Sequence, residues 1–362
     1  MAVLLAVGAG LGAGATTIHT GPKAASVSRP PASVDKKVPA LPRAYPREVR
    51  GVHVTMALAG LEGRIDEYLA LKAYGLNALE VDVKDENGAV AFLGYGTPRL
   101  ARETGAARPF YDPRLVAQKI HQRGVYLVGR VVVFEDPTLS VARPDLAVLR
   151  PDGSVWKNNA GLGWLNPYSR TVWKYAVDIG AAAAKAGFDE IQFDYVRFPS
   201  DGDLSQIVYR GKLAELKGTT IARFLSYAAH RLHPLGVRVS ADVFGLSATH
   251  DLGIGQVPRR LVRSSVDALY PMVYPSHYGP GEYGIPDPNQ YPGRTVANSL
   301  YDFKVQTKGK VQLIPWLQDF SLGRPYTLIE VTDQIAAARR QHVRGFMLWN
   351  AEGVYTREAL TQ

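Results

Sequence analysis

Residues 188–199 read Phe-Asp-Glu-Ile-Gln-Phe-Asp-Tyr-Val-Arg-Phe-Pro, and this stretch decides the fold. Its alternation follows the strand period of two, with an apolar face of Ile191, Phe193 and Tyr195 and a polar face of Glu190, Gln192 and Asp194. Pro199 ends the pattern because proline cannot donate to a strand ladder. Parallel barrels carry their chemistry on acidic residues at such carboxyl-terminal strand tips. The alternative interpretation is a solvated edge strand with one polar face.

Two further stretches alternate in the same way. In residues 78–84 the polar positions are Glu80, Asp82 and Lys84, and in residues 237–243 they are Arg238, Ser240 and Asp242. The apolar positions would face a layer of helices, and the polar positions would face a shared interior. Ordinary parallel strands are apolar on both faces. Three polar inner faces therefore favour a barrel whose upper interior opens into a polar pocket.

Strand-like and helix-like patterns alternate from residue 49 onward. The predicted strands are 49–55, 77–84, 125–134, 190–198, 237–244, 268–275, 311–319 and 344–350. The predicted helices are 64–74, 112–123, 168–186, 219–233, 256–265, 294–307 and 327–342. This repetition predicts an α/β protein with a single (β/α)8 TIM barrel.

The predicted loops differ between the two ends of the barrel. Helix-to-strand turns are short, whereas four strand-to-helix loops are long, namely 85–111, 135–167, 199–218 and 276–293. Long loops at one end mark the functional face of such a barrel.

The chain divides into four predicted parts: a signal-like segment at 1–15, a flexible linker at 16–48, the barrel at 49–353 and a tail at 354–362. The first part is apolar and rich in small residues, as in a secretory signal, although it lacks a basic amino-terminal region. It is too short and too glycine-rich for a stable membrane span. We expect a secreted or cell-envelope-associated protein.

Composition narrows the possible chemistry. The chain has 362 residues, is 46% hydrophobic and contains no cysteine, so disulfides, thiolate metal sites and cysteine nucleophiles are excluded. The net charge of +9 comes from scattered lysines and arginines, so no nucleic-acid-binding stripe is expected. The charge fits either simple solubility or attraction to an anionic cell wall or membrane surface. The acidic turns at 85–88 and 201–203 resemble calcium-binding loops, but neither matches an EF-hand, and ordinary acidic turns are the favoured interpretation. The sequence contains no phosphate-binding P-loop, dinucleotide fingerprint or Gly-x-Ser-x-Gly elbow.

Asp194 and Asp242 are the candidate catalytic residues. They end the fourth and fifth predicted strands, so their carboxyl groups should lie about 5 to 6 Å apart. That is the separation found in retaining glycosidases, in which one carboxylate attacks and the other acts as an acid. The alternative is that one aspartate caps a loop and the other pairs with an arginine.

Several other side chains are candidates for binding a substrate. Asp82 should lie about 10 Å from Asp194, which suits an inverting pair, a contact with a sugar hydroxyl, or a salt bridge with Lys84 or Arg130. His53, Arg130 and Gln318 face the interior, and Arg197 ends the fourth predicted strand. Aromatic faces for sugar C–H groups could come from Tyr274, Trp316 and Trp349, or these rings could belong to the core. Glu80, Glu190 and Arg238 lie deeper and are expected to form a buried ionic network.

Four stretches together resemble a known family, namely Gln192–Pro199, Ser240–Gly245, Pro271–Ser276 and Pro315–Phe320. They resemble a bacterial family of glycoside hydrolases with a TIM barrel that is distantly similar to the α-amylase and α-galactosidase groups. The resemblance spans residues 49–353 and implies that Asp194 is the nucleophile. Related barrels often carry a glutamate at the fifth strand tip, where this chain has Asp242.

The leading hypothesis is a secreted retaining glycoside hydrolase that acts on a polysaccharide, such as one of the cell envelope. Asp194 would attack, Asp242 would act as acid and base, and no cofactor is expected. The alternative is a non-catalytic barrel that binds carbohydrate or cell wall, because a fold does not fix its function.

Overall fold

The computed structural model describes residues 44–211 and 215–362. The signal-like segment and residues 16–43 of the predicted linker lie outside the described residues. The strands are β1 Arg50–Val54, β2 Ala78–Lys84, β3 Tyr126–Val132, β4 Glu190–Asp194, β5 Arg238–Phe244, β6 Ala268–Met272, β7 Gln312–Leu313, β8 Trp316–Gln318 and β9 Phe346–Trp349. All of their pairings are parallel, and the pairing of β5 with β6 closes the sheet into a ring. The predicted (β/α)8 barrel is confirmed.

The seventh barrel position differs from the prediction of one continuous strand. It is divided into β7 and β8, which both pair with β6, by Ile314 and Pro315. Pro315 has no N–H group and cannot donate to the ladder. Its carbonyl still accepts a hydrogen bond of 2.9 Å from the backbone N–H of Met347, so the barrel wall stays continuous across the break.

The ten α-helices of the described residues surround this barrel. Seven lie between consecutive barrel strands: α2 Arg64–Ala70, α4 Pro113–Gln122, α6 Arg170–Ala186, α7 Lys217–Leu232, α8 Pro258–Leu261, α9 Pro292–Thr307 and α10 Leu328–Arg340. Three short helices, α1 Met56–Ala59, α3 Arg99–Glu103 and α5 Pro137–Ala142, lie in strand-to-helix loops. No helix of residues 44–211 or 215–362 is both long enough and apolar enough to cross a membrane.

Local chemistry sets the helix ends. The Ser169 hydroxyl accepts from the backbone N–H of Val172 at the start of α6, and Gly187 ends that helix with φ +113°. The helix predicted at 256–265 is shorter, because the Ser264 hydroxyl donates to the Leu261 carbonyl and Ser265 has φ +62°. Such competition with the backbone ladder is not visible in a hydrophobic pattern.

The predicted division into inner and outer faces is observed. Phe193 of β4 points outward, and its ring lies 5.3 Å from that of Phe224 on α7. Gln192 of the same strand points inward and donates to Asp242 on β5. Alternation along β4 therefore gives one face to the helix layer and the other to the barrel interior.

A cluster of polar and aromatic side chains fills the lower interior, near the amino ends of the strands. Arg238 Nε lies 3.4 Å from Glu190 Oε2, and the Tyr126 hydroxyl donates to the same oxygen at 3.0 Å. Tyr45 covers this cluster from below, with its ring 3.9 Å from the Arg238 guanidinium carbon. Residues 44–48, which the sequence analysis assigned to the linker, thus contact the barrel through Tyr45. Glu80, expected in the same network, pairs instead with His53.

The segment after residue 353 also packs on the barrel. The Thr356 hydroxyl and backbone N–H both donate to Asp319 at 2.7 Å, just after β8. Tyr355 donates to the His53 carbonyl at 2.6 Å, and Ala359 and Leu360 are fully buried. These contacts tie the segment to the ends of β1 and β8.

We predict that Tyr45→Ala lowers the free energy of unfolding by about 2 kcal/mol, because an aromatic ring leaves its contacts with Arg238 and Tyr126. Deletion of residues 1–43 should leave the unfolding transition unchanged, because their sequence has little apolar periodicity and many Pro, Ser and Gly residues. Urea unfolding followed by circular dichroism measures both effects, with Tyr45→Phe as the control that keeps the ring. A clear loss of stability in the deletion variant would contradict the second expectation.

Candidate active site

Asp194 and Asp242 lie side by side at the carboxyl-terminal mouth of the barrel. Phe193 pairs with Ala241, and the next residues along β4 and β5 are the two aspartates. Adjacent strands lie about 4.8 Å apart, so neighbouring inward side chains share one small region. The exposed fraction is 6% for Asp194 and 2% for Asp242. The structure thus brings the two candidate catalytic residues together.

Asp194 is held by donors on both carboxylate oxygens. Arg130 donates to Oδ2 from Nε at 3.0 Å and from Nη2 at 2.7 Å, and the Tyr195 backbone N–H donates to Oδ1 at 2.6 Å. Tyr195 has φ +47°, a strained conformation for a residue other than glycine. This conformation ends β4 at Asp194, earlier than the predicted boundary at 198, and places the N–H against the carboxylate.

Arg130 of β3 connects three carboxylates. Its Nη1 lies 2.8 Å from Asp82 Oδ1 and 3.4 Å from Glu86 Oε2, while its other donors contact Asp194. Burial opposes the positive charge, but Asp194 and Asp82 outweigh it and keep the pKa of Arg130 well above its ordinary value. Of the two salt bridges considered for Asp82, the one with Arg130 is present. Lys84 pairs with Asp136 instead, at 3.1 Å.

Asp242 has a different environment from Asp194. Its Oδ1 accepts from Gln192 Nε2 at 2.5 Å and from Trp316 Nε1 at 2.7 Å, and both donors are neutral. Burial, followed by the charges of Asp194 and Glu80, raises the pKa of Asp242 well above its ordinary value. Two neighbouring carboxyl groups with opposite environments can take opposite roles in proton transfer.

His53 forms part of the wall beside this pair. Its Nδ1 lies 2.6 Å from Glu80 Oε2, and its ring stacks on Trp349 with 4.4 Å between ring centroids. Burial lowers the pKa of His53 to about 4, so the imidazole is neutral at physiological pH. Its Nε2 faces Asp82 at 3.6 Å. His53 thus links Glu80 at the base of the site to Asp82 at the mouth.

The candidate aromatic residues surround the carboxylates. Trp316 and Trp349 meet edge to face with 5.6 Å between ring centroids, and Trp349 also lies 5.5 Å from the guanidinium carbon of Arg130. Tyr274 is buried against Phe320. Burial, and then the charges of Asp242 and Asp194, raise the pKa of Tyr274 well above its ordinary value. Tyr274 is therefore a neutral phenol that interacts with the charges of both aspartates.

Gln318 and Arg197 make most of their observed contacts with loops. Gln318 accepts from the Ser276 backbone N–H at 3.1 Å and donates to the Phe320 carbonyl at 3.0 Å. Arg197 lies among three aromatic rings, those of Trp164, Tyr195 and Phe244, and donates to the Ser200 hydroxyl at 3.0 Å. Both side chains fix the loops that border the mouth.

Glu135 is a mouth residue that the sequence analysis did not identify. It lies just after β3 in a long loop, is 3% exposed, and accepts from Asn158 at 2.9 Å. Burial raises its pKa to about 7. The available signal was an acidic residue directly after the third predicted strand, but strand periodicity does not show where a loop side chain points.

The two acidic turns form local structure. The Asp85 carboxylate accepts from the backbone N–H groups of Asn87 and Ala89, and the Asp203 carboxylate accepts from Ser205. Across residues 44–211 and 215–362, no three His, Asp or Glu side chains cluster as metal ligands would. The protein groups of this site are therefore carboxylates, Arg130, neutral His53 and aromatic rings.

Comparison with models of protein families identifies the family to which this chain belongs. The model described as "Putative glycosyl hydrolase domain" matches residues 51–355, so the chain belongs to this family of glycosyl hydrolases. Its substrate is accordingly a carbohydrate. A search of curated proteins found no match.

Solved structures share the barrel. The PgaB (BpsB) glycoside hydrolase domain from Bordetella bronchiseptica is 16% identical, with 85% of this chain and 95% of that chain covered and a TM-score of 0.59. The catalytic domain of β-amylase from Paenibacillus polymyxa is 14% identical, with coverages of 86% and 94% and a TM-score of 0.55. A hypothetical protein from Ruminiclostridium thermocellum is 36% identical over 53% of this chain and 97% of that chain, with a TM-score of 0.48. At such low identity, the first two similarities show a common fold.

We predict that Asp242→Asn stabilises the protein at neutral and alkaline pH. Because the folded state raises the pKa of Asp242, its contribution is fully present below the ordinary value of 3.8 and is lost as pH rises through the folded pKa. Each tenfold preference for the protonated form is worth about 1.4 kcal/mol. Asparagine cannot ionise and can still accept from Gln192 and Trp316.

Urea unfolding at pH 5 and pH 8 measures this effect. The advantage of Asp242→Asn over wild type should be larger at pH 8 than at pH 5, and the exposed Asp251→Asn is the control for the substitution itself. A variant less stable than wild type at pH 8 would mean that Asp242 is needed there as an anion.

Proposed function

We propose that the protein is a secreted, retaining glycoside hydrolase that cleaves a cell-envelope polysaccharide. The observation that carries the proposal is the pairing of Asp194 and Asp242 on adjacent strand tips in opposite environments. A separation of about one strand spacing suits the retaining geometry, in which the carboxyl groups lie about 5 to 5.5 Å apart.

In the first step, a carboxylate oxygen of Asp194 attacks the anomeric carbon of the sugar. The glycosidic C–O bond breaks, and the proton of Asp242 passes to the leaving oxygen. Arg130 and the Tyr195 N–H hold the attacking carboxylate in place, so little reorganisation is needed. The raised pKa of Asp242 supports the acid role, because the group must be protonated before it can donate.

In the second step, water releases the sugar. The Asp242 carboxylate takes a proton from water, the water oxygen bonds to the anomeric carbon, and the bond to Asp194 breaks. Both aspartates then return to their starting states. The two displacements leave the anomeric carbon with its original configuration.

The remaining candidates would bind and orient the sugar. Asp82 on β2 shares Arg130 with Asp194, also accepts from the Met56 backbone N–H at 3.3 Å, and can accept from a sugar hydroxyl. Trp349 and Tyr274 supply aromatic surface near the carboxylates. Gln318, His53 and Arg197 would shape the pocket through the loops and rings that they contact.

Two features of the chain support the proposed location and substrate. Residues 1–15 have the small and apolar character of a secretory signal, and the net charge of +9 favours association with an anionic cell wall. Export and envelope binding would place the enzyme at its polymer. Mass spectrometry of the secreted chain would identify the mature amino terminus and test the first of these inferences.

We predict that Asp194→Asn reduces hydrolysis by at least about 10³-fold, equivalent to ~4 kcal/mol of transition-state stabilisation, while the protein stays folded. The amide keeps the shape of the side chain but loses its nucleophilic charge, and Arg130 retains Asp82 and Glu86 as partners. Initial rates on aryl glycosides and wall polysaccharides, with circular dichroism, measure the two effects.

The exposed Asp251→Asn is the matched control for this experiment and should remain fully active. An Asp194→Asn variant that hydrolyses its substrate at the wild-type rate would exclude Asp194 as the nucleophile. A wild-type protein that binds these polysaccharides but cleaves none of them would support the alternative of a non-catalytic binding barrel.

We also predict that hydrolysis retains the anomeric configuration. Proton NMR spectra recorded in the first minutes of the reaction identify the initial anomer before mutarotation mixes the two forms. An inverted first product would exclude the Asp194–Asp242 dyad as a retaining pair, and Asp82 would become the next partner to test.

A further inference from the structure

Glu135 lies on the opposite side of Asp194 from Asp242. In the barrel β4 lies between β3 and β5, and Val132 at the end of β3 pairs with Asp194. Glu135 follows Val132 by three residues, so the chain has moved outward from the level of Asp194, toward the mouth. Asp194 thus has one carboxyl group beside it at its own level and a second one farther out.

The loop that carries Glu135 is fixed by buried contacts. Lys84 Nζ donates to the Val132 carbonyl at 2.9 Å and pairs with Asp136, which follows Glu135 directly. On the other side, the backbone of Glu135 bridges to that of Trp164. These contacts fix the backbone around Glu135.

The carboxyl group of Glu135 has one oxygen in use. Asn158 Nδ2 donates to Oε2 at 2.9 Å, and the Asn158 amide is itself held by the Leu162 N–H on its own Oδ1 at 2.9 Å. The described part of the chain gives Oε1 no hydrogen bond. Oε1 does not belong to the fully buried side-chain atoms that lack a partner, so water or a ligand can reach it.

The charged neighbours of Glu135 come from several elements. Arg197 follows β4, Glu86 follows β2, Asp194 ends β4 and Asp201 lies in the loop after β4. The Tyr195 phenol also interacts with the charge of Glu135. Burial raises the pKa of Glu135 to about 7. Arg197 opposes this rise, and the neighbouring carboxylates add to it. Below that pH the group carries a proton and can donate a hydrogen bond.

We propose that Glu135 is a substrate-binding residue on the outward side of Asp194, where its Oε1–H donates a hydrogen bond to an oxygen of the bound sugar. This inference rests on the proposed function, because it assigns Glu135 to the same cleavage site. Ionisation removes the donor and adds a negative charge beside Asp194. Substrate binding therefore weakens as pH rises through neutrality, independently of the chemical step.

The test compares Glu135→Gln and Glu135→Ala with wild type between pH 5.5 and pH 8.5. Glutamine keeps a donor that cannot ionise, so its KM should stay constant over this range while the wild-type KM rises, and its kcat should remain within about twofold. Alanine removes the donor and should raise KM by about tenfold at pH 6. Glu67→Gln, at an exposed position on α2, is the matched control and should follow wild type.

Binding is measured separately from turnover. Tryptophan fluorescence titrations use a size-fractionated oligosaccharide mixture from purified cell walls and the Asp194→Asn background, with and without Glu135→Gln. Affinity should fall as pH rises in Asp194→Asn and stay constant in the double variant that also carries Glu135→Gln. Circular dichroism checks that each variant is folded, and Glu135→Gln decides the outcome if Glu135→Ala does not fold.

Two results would overturn the inference. A loss of kcat greater than about 100-fold in Glu135→Gln would make Glu135 a proton donor in the reaction rather than a binding residue. If KM and affinity in Glu135→Gln depend on pH as they do in wild type, the Glu135 carboxyl group does not contact the sugar. If wild type neither hydrolyses nor binds any carbohydrate tested, the proposed function itself fails, and the inference fails with it.

Discussion

The interior guanidinium of Arg130 is the interaction on which the mouth of the barrel depends. A buried cation is costly unless carboxylates and hydrogen bonds surround it, and Arg130 has Asp82, Glu86 and Asp194 as partners. Equally, the buried carboxylates of Asp82 and Asp194 could not lie this close together without the cation. The tips of β2, β3 and β4 are therefore held together by charge, and the orientation of Asp194 follows from that arrangement.

Much of this arrangement could be predicted, because side-chain alternation in a strand is rigid. The period of two in the second, fourth and fifth strands identified which residues face inward, and the order of the strands put Asp194 beside Asp242. Features set by single residues could not be predicted in this way. The positive φ of Tyr195 and the position of Glu135 in a loop depend on tertiary contacts that no periodicity encodes. Pro315 was visible in the sequence, but the continuity of the wall around it was not.

Asp194 and Asp242 show how one residue type acquires two chemical characters. Asp194 accepts hydrogen bonds from the positively charged Arg130 on β3 and from the Tyr195 backbone N–H. Asp242 accepts hydrogen bonds from the neutral side chains of Gln192 and Trp316. The difference comes from side chains on three strands, β3, β4 and β8, together with the backbone N–H of Tyr195. A barrel of this kind supports many reactions, and the supporting residues around each carboxylate determine which reaction is possible.

Closure of the barrel joins parts of the chain that are far apart in sequence. Arg50 of β1 pairs with Phe346 of β9, and His53 stacks on Trp349 across the same seam. Contacts with such large sequence separation form slowly, because the intervening chain must be ordered first. His53 and Trp349 take their places beside the carboxylates only after β1 has paired with β9. Partially folded chains that lack this pairing therefore cannot have a working site. The emission of Trp349, which meets the imidazole only in the closed ring, offers an intrinsic optical signal for the last stage of folding.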